Sequence, residues 1–223
     1  MQDALLLKKK MMGGGGLNSI PPLWGWNYSS NVSTGTVTPI SHTAGAPVTP
    51  PISIAGYTTA VKGIDTVTYA AGSRTSTQDF TAMTRVLLVG ATGYAGLLGS
   101  TFTFRTGDAG FGNRIQFGYA MSTIATCWDS SVTESQMSSA WYHLAMVRKA
   151  NVNTVYINGS AIMLANGTGS TYNNPSFSDA TSMINNNVMT VGQSGLNVYT
   201  AEWGFWDSAI ITSNFTPPVG GLV

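Results

Sequence analysis

From residue 57 onward, apolar and polar positions alternate in short runs. "IDTVTYA" (64–70) and "TFTFRTG" (101–107) alternate strictly, and "RVLLVG" (85–90) is a continuous apolar run. "RIQFGYAM" (114–121) and "TIATCWD" (123–129) follow as a pair separated by a short turn, then "AWYHLAMVR" (140–148), "NTVYING" (153–159), "AIML" (161–164), "NVMTVG" (187–192) and "YTAEWGFW" (199–206). Turn residues divide these runs at intervals of about 8–12 residues, the spacing of a β-sandwich or barrel. Only Trp206 to Phe215 has the pattern of a helical turn, with Asp207 or Ser208 as its cap.

The stretch "WYHLAMVRKANVNTVYINGSAIM" (141–163) sets out the scaffold. Successive side chains of a strand point to opposite faces, so Trp141, His143, Ala145 and Val147 share one face and Tyr142, Leu144, Met146 and Arg148 the other. Both faces carry apolar groups, as in a central strand covered on both sides. "KANVN" reads as a polar hairpin loop, and Asn158-Gly159 favours a type I′ turn because both residues accept positive φ. Trp141 and His143 are therefore expected to hold sheets together, with His143 hydrogen-bonded and structural.

Residues 1–56 have a different texture. "GGGG" (13–16) is flexible by composition, and Pro21-Pro22, Pro39, Pro47 and Pro50-Pro51 interrupt any ladder. Between them lies the aromatic cluster "LWGWNYSS". This predicts an extended docking arm over 1–56, a sandwich over 57–216 and a loose tail over 217–223. The apolar groups the arm offers to a neighbouring subunit are Leu5, Leu6, Leu7, Met11, Met12, Trp24 and Trp26. Burying such side chains contributes roughly 1.5–3 kcal/mol each before ordering costs.

The segment "AWYHLAMVRKANVNTVYINGSAI" resembles the laminin G-like, concanavalin A-like jelly-roll family, with Trp141, His143, Ala145, Tyr156, Asn158 and Gly159 at its recurrent positions. "NNNVMTVGQSGLNVYTAEWGFWDSAIITSNF" is similar to that family's closing segment through Val191-Gly192, Gly204, Trp206 and Asp207. The resemblance spans roughly residues 60–216. It implies an all-β, concanavalin A-like (LamG-like) jelly-roll β-sandwich of two antiparallel sheets, here with an extended N-terminal arm. It implies no single function, because this fold hosts lectins, hydrolases, adhesion modules and structural parts.

Composition narrows the field. Of 223 residues, 43% are hydrophobic and 9% charged, with a net charge of +1. So small a charge steers the protein neither to nucleic acid nor to an anionic membrane. Lys8-Lys9-Lys10 is the one basic run, a weak nucleic-acid signal, and no run of apolar residues is long enough to insert in a membrane. The single cysteine, Cys127, excludes an intrachain disulfide. The N-terminal run lacks the order of a secretory signal, which suits a chain made in a host cytoplasm.

Four chemistries are weighed on this scaffold. Glycoside hydrolysis needs two carboxylates about 5–5.5 Å or 6.5–9.5 Å apart. The two glutamates, Glu134 and Glu202, have no acid at matching spacing. Glu134 lies in a polar loop and is expected to be solvated, and Glu202 has Arg85, Arg105, Arg114 or Arg148 as potential partners. Calcium, which laminin G-like domains often bind at a rim, would fall to Asp108, Asn113 and Asp129; otherwise no cofactor is expected. Glycan binding would use an aromatic platform of Tyr172, Asn173, Asn174 and Phe177, or of Tyr199 and Trp203.

The reading that absorbs the arm is a non-enzymatic structural protein of a phage virion, a capsid decoration or a tail or fibre component. Its partners would be other virion subunits, with homo-oligomerisation. A glycan-binding module attaching to a host surface is the alternative on the same scaffold.

Overall fold

The computed structural model describes residues 22–29, 32–43, 45, 47–70, 79–90, 96–99, 102–106, 114–119, 127–166, 171–178, 188–191 and 197–218. The chain is all-β, a two-sheet jelly-roll sandwich in which every strand pairing is antiparallel. In chain order the strands are β1 (Trp24–Asn27), β2 (Val32–Thr34), β3 (Pro39–Thr43), β4 (Pro47–Val48), β5 (Ala60–Lys62), β6 (Asp65–Tyr69), β7 (Phe80–Leu88), β8 (Gly96–Gly99), β9 (Phe102–Thr106), β10 (Arg114–Tyr119) and β11 (Cys127–Thr133). The short helix α1 (Glu134–Met137) follows. Then come β12 (Tyr142–Lys149), β13 (Val152–Ile157), β14 (Ser160–Ala161), β15 (Ala165–Asn166), β16 (Phe177–Ser178), β17 (Val188–Val191) and β18 (Val198–Trp206).

One sheet runs β14-β13-β12-β7-β18-β1-β2, with β16 on β13 and β5, carrying β4, on β18. The other runs β15-β11-β10-β9-β8-β17-β6-β3. The meander read from 141–163 is present. The β12–β13 hairpin turns at Ala150 (φ 48°) and Asn151 (φ 67°), and β13–β14 turns at Asn158 (φ 49°) and Gly159 (φ 81°). Positive φ at both positions is the type I′ signature, whose twist matches that of the flanking strands.

Between the sheets lies an aromatic core. Trp24 stacks on Tyr69 at 4.9 Å, Phe80 on Phe205 at 5.5 Å, and Phe104 meets Phe117 edge-on at 5.3 Å. Trp24 is the N-terminal surprise. β1 pairs along β18, Trp24 opposite Phe205 and Trp26 opposite Trp203. Both tryptophans are buried, at 1% and 8% exposure. The expected boundary at residue 57 therefore does not exist, and Trp24 and Trp26 are core, not assembly anchors. The prolines and glycines around "LWGWNYSS" punctuate short strands that two sheets use. β3 pairs with β6, and Ile52 accepts a hydrogen bond from the Trp141 indole N–H at 2.8 Å. Leu5, Leu6, Leu7, Met11 and Met12 lie outside the described residues.

Two further expectations are corrected. Residues 207–218 form no helix; they run as an irregular strap across the first sheet. Glu134 is not in a solvated loop but opens α1, at 3% exposure.

Candidate functional site

The strap defines the site, because it covers the outer face of the first sheet, away from the core. On that face β12 presents His143, Ala145, Val147 and Lys149, and β13 presents Thr154 and Tyr156, by simple alternation. Met83, Ala145, Val147, Tyr156 and Trp206 pack under Ile210 and Ile211 of the strap, with Ala209 and Phe215 against them. This second core explains why β12 is apolar on both sides.

Hydrogen bonds pin the strap where a helix would have satisfied itself. The Thr81 hydroxyl donates to the Ser208 carbonyl at 2.9 Å and accepts from the Ile210 N–H at 3.0 Å. The Asn214 side chain accepts from the Ala161 N–H at 2.8 Å, and the Phe215 N–H donates to the Gly159 carbonyl at 2.9 Å. The Pro218 carbonyl accepts from the Arg85 guanidinium.

Beneath the end of the strap, a row of polar residues crosses four strands: Asn27 on β1, Glu202 on β18, Arg85 on β7 and His143 on β12, each opposite the next. Glu202 is fully buried and pairs with Arg85 at 3.1 Å, one of the four arginines that sequence left open. The Tyr57 hydroxyl also donates to Glu202, and Tyr57 is raised well above the usual phenol range by burial and by that carboxylate. His143 is 1% exposed, and neither ring nitrogen makes a hydrogen bond, contrary to the expected bonded histidine. Burial, and then the Arg85 charge, push its imidazole down to about 3.

Midway along the strap, a hollow of about 150 Å³ opens, lined by Val147, Lys149, Thr154, Tyr156, Ile211 and Thr212. Two aliphatic walls and a tyrosine face two threonine hydroxyls and one lysine. Burial raises the Tyr156 phenol above its ordinary value.

The expected platforms are not assembled. Tyr172 is capped by the Arg114 guanidinium, 5.2 Å from its ring centre. Asn174 is structural, exchanging backbone hydrogen bonds with Leu164 at 2.7 and 3.1 Å and giving its side-chain amide to the same carbonyl at 3.2 Å. Asn173 is exposed and accepts from the Asn174 amide at 3.0 Å, while Phe177 is in the core. Tyr199 and Trp203 do not share a face. A bulge at Ala201, between the pairs Thr200–Val86 and Glu202–Arg85, breaks the alternation. Tyr199 then lies beside Lys62, whose ammonium is 5.8 Å from the ring centre, and Trp203 points into the core with its indole N–H on Tyr28.

Asp108 and Asn113 lie outside the described residues, and of Asp129 only the backbone is described, opposite Gln116 and Ala165. Among the described residues no group of three or more His, Cys, Asp or Glu gathers as a metal site. Asp65 is occupied: the Tyr28 hydroxyl donates to it at 2.5 Å and His42 Nε2 stands 2.9 Å from both oxygens.

No protein-family model and no curated protein matches the chain. Solved structures do. The botulinum neurotoxin serotype C1 binding domain superposes with a TM-score of 0.59 at 11% identity, over 87% of this chain and 50% of that one. The botulinum neurotoxin DC binding domain, solved with rat synaptotagmin II, gives 0.56 at 12%, over 87% and 49%. Trypanosoma rangeli sialidase gives 0.51 at 12%, over 94% and 36%. The chain thus spans half or less of each neighbour, and the likeness is one of fold: a jelly-roll sandwich.

The hollow escaped the sequence reading for a physical reason. Its floor, Val147/Lys149 and Thr154/Tyr156, is legible as one face of the β12–β13 hairpin. Its wall, Ile211 and Thr212, is set there only by the strap.

Proposed function

We propose that this chain is a non-catalytic jelly-roll module that binds a glycan in the hollow between the β12–β13 hairpin and the strap. The observation that carries this is the lining: a narrow apolar strip of Val147, Tyr156 and Ile211 for one edge of a sugar, with the Thr154 and Thr212 hydroxyls and the Lys149 ammonium for its oxygens. Glu202 is committed to Arg85 and Tyr57, which supports a binder over a hydrolase. The binding domains among the structural neighbours agree with it in kind. The test is a glycan array probed with the wild-type chain and with Thr154→Gln, which fills the hollow. Binding is expected for the first and lost for the second at an unchanged melting temperature. No glycan bound, or binding indifferent to the filled hollow, overturns the proposal.

The second reading is a virion structural part that docks on further copies and on other virion subunits. A specific feature favours it. β3 is the outermost strand of its sheet and carries Ile40 at 68% exposure, with no Asp, Glu, Lys or Arg along Pro39–Thr43. Unpaired edges of this kind invite pairing with another chain. Leu5–Leu7 and Met11–Met12, which precede a sandwich that already has its own tryptophans, would add apolar contact. Light scattering after size exclusion tests it, using the full chain and a chain beginning at Pro21. A defined oligomer that becomes a folded monomer supports the reading, and two identical monomers refute it.

A further inference from the structure

The hollow has one charge and it is positive. Lys149 ends β12 beside the Ala150-Asn151 turn, is exposed, and forms no ion pair among the described residues. No acid lines the space. The nearby Asp79 carboxylate accepts from the Ala150 N–H at 2.8 Å.

Size restricts the occupant further. A volume of about 150 Å³ is that of a few waters at roughly 30 Å³ each. It accommodates one six-membered ring and is well below the roughly 300–1,000 Å³ of ordinary small-molecule sites. The charge also sits at one end. Val147, Tyr156 and Ile211, each 3–4% exposed beneath the strap, show the hollow only a narrow apolar strip, and Thr154 and Thr212 offer hydroxyls that both donate and accept.

We infer that the hollow is a subsite for a single acidic sugar ring, a carboxylate-bearing residue such as a hexuronate at the end of a glycan, with Lys149 reading the carboxylate. The inference rests on the glycan-binding reading and names the ligand class of that site. Because Lys149 is exposed, its pairing with a carboxylate is worth about 1 kcal/mol in water, or about fivefold in affinity. The carboxylate therefore selects among sugars.

The experiment is a titration of the full chain followed by amide chemical shifts, using methyl glucuronide, methyl glucoside, N-acetylglutamate amide and inorganic phosphate. Methyl glucuronide is expected to shift the amides of Val147, Thr154 and Thr212 and to bind about fivefold tighter than methyl glucoside. That preference should vanish in Lys149→Met and shrink at high salt. If the two sugars bind equally and Thr154→Gln abolishes both, the glycan reading stands and the acidic preference is wrong. If the glutamate derivative binds as well as the glucuronide, the site reads carboxylates and not sugars. If phosphate alone reproduces the shifts, it is a plain anion site. If no sugar moves these amides, both readings fall.

Discussion

Arg85 and His143 stand opposite one another across β7 and β12, and the buried imidazole is held uncharged by its burial and by that guanidinium. The pair has a consequence for acid stability. In the unfolded chain His143 titrates near its ordinary 6.5; in the folded chain the value is about 3. Between these values the unfolded state binds the extra proton, so stability falls as pH falls. The loss from this group is about 1.4 kcal/mol per pH unit within that window. Melting temperatures of wild type and His143→Leu, measured from pH 7.5 to 4, are expected to diverge below about pH 6.5, the variant losing less. Parallel curves would show that the ring is reached by water.

Glu202 is buried between Arg85 and Tyr57, so Glu202→Gln leaves a guanidinium facing an amide in a largely dry site. Breaking one side of a buried pair costs roughly 3–5 kcal/mol. Urea unfolding should show a loss of that order, and the double variant Arg85→Met/Glu202→Gln should recover part of it. Equal losses in single and double variants would mean that the pair contributes packing alone.

Gly159 combines φ of 81° with contact against the strap, and a Cβ there would run into the Phe215 carbonyl. Gly159→Ala is expected to cost roughly 1–3 kcal/mol in backbone strain and, by pushing Phe215 away, to speed hydrogen exchange at its N–H. Unchanged exchange there would show that the strap does not depend on this contact.

The N-terminal boundary yields a fourth expectation. A chain beginning at Pro21 keeps β1 and should melt like the full chain. A chain beginning at Tyr57 loses Trp24 and Trp26 and should not fold. Trp24→Ala alone should cost about 3–5 kcal/mol, as large aromatic truncations in cores do. Trp141→Ala should cost less, since Trp141 is only half-buried and loses chiefly its bond to Ile52. A folded chain from Tyr57 would restore the docking-arm boundary.

What sequence could and could not show follows from the range of the interactions. The β12–β14 meander was legible because period-two alternation and Asn158-Gly159 are local signals. β1 was not: its four residues sit among prolines and glycines, and its partner β18 is at the other end of the chain. Tyr199 and Trp203 would share a face only under unbroken alternation, and the bulge at Ala201 resets it. The strap looked helical because its capping residues are real, but Thr81, Asn214 and Gly159 satisfy its polar groups from outside. Half of the hollow inherits that error.

The pairing of β1 with β18 also governs how the chain reaches its fold. The first described strand is held between β2 and the last strand, and β7 lies between β12 and β18. Contacts so distant in sequence make folding slow, because chain entropy is lost before they form. During synthesis the side of β1 that pairs with β18 stays unpaired until residue 206 has emerged. The sandwich is therefore completed as one late event, and its window of exposure to aggregation or to a chaperone is set by the length of the whole domain.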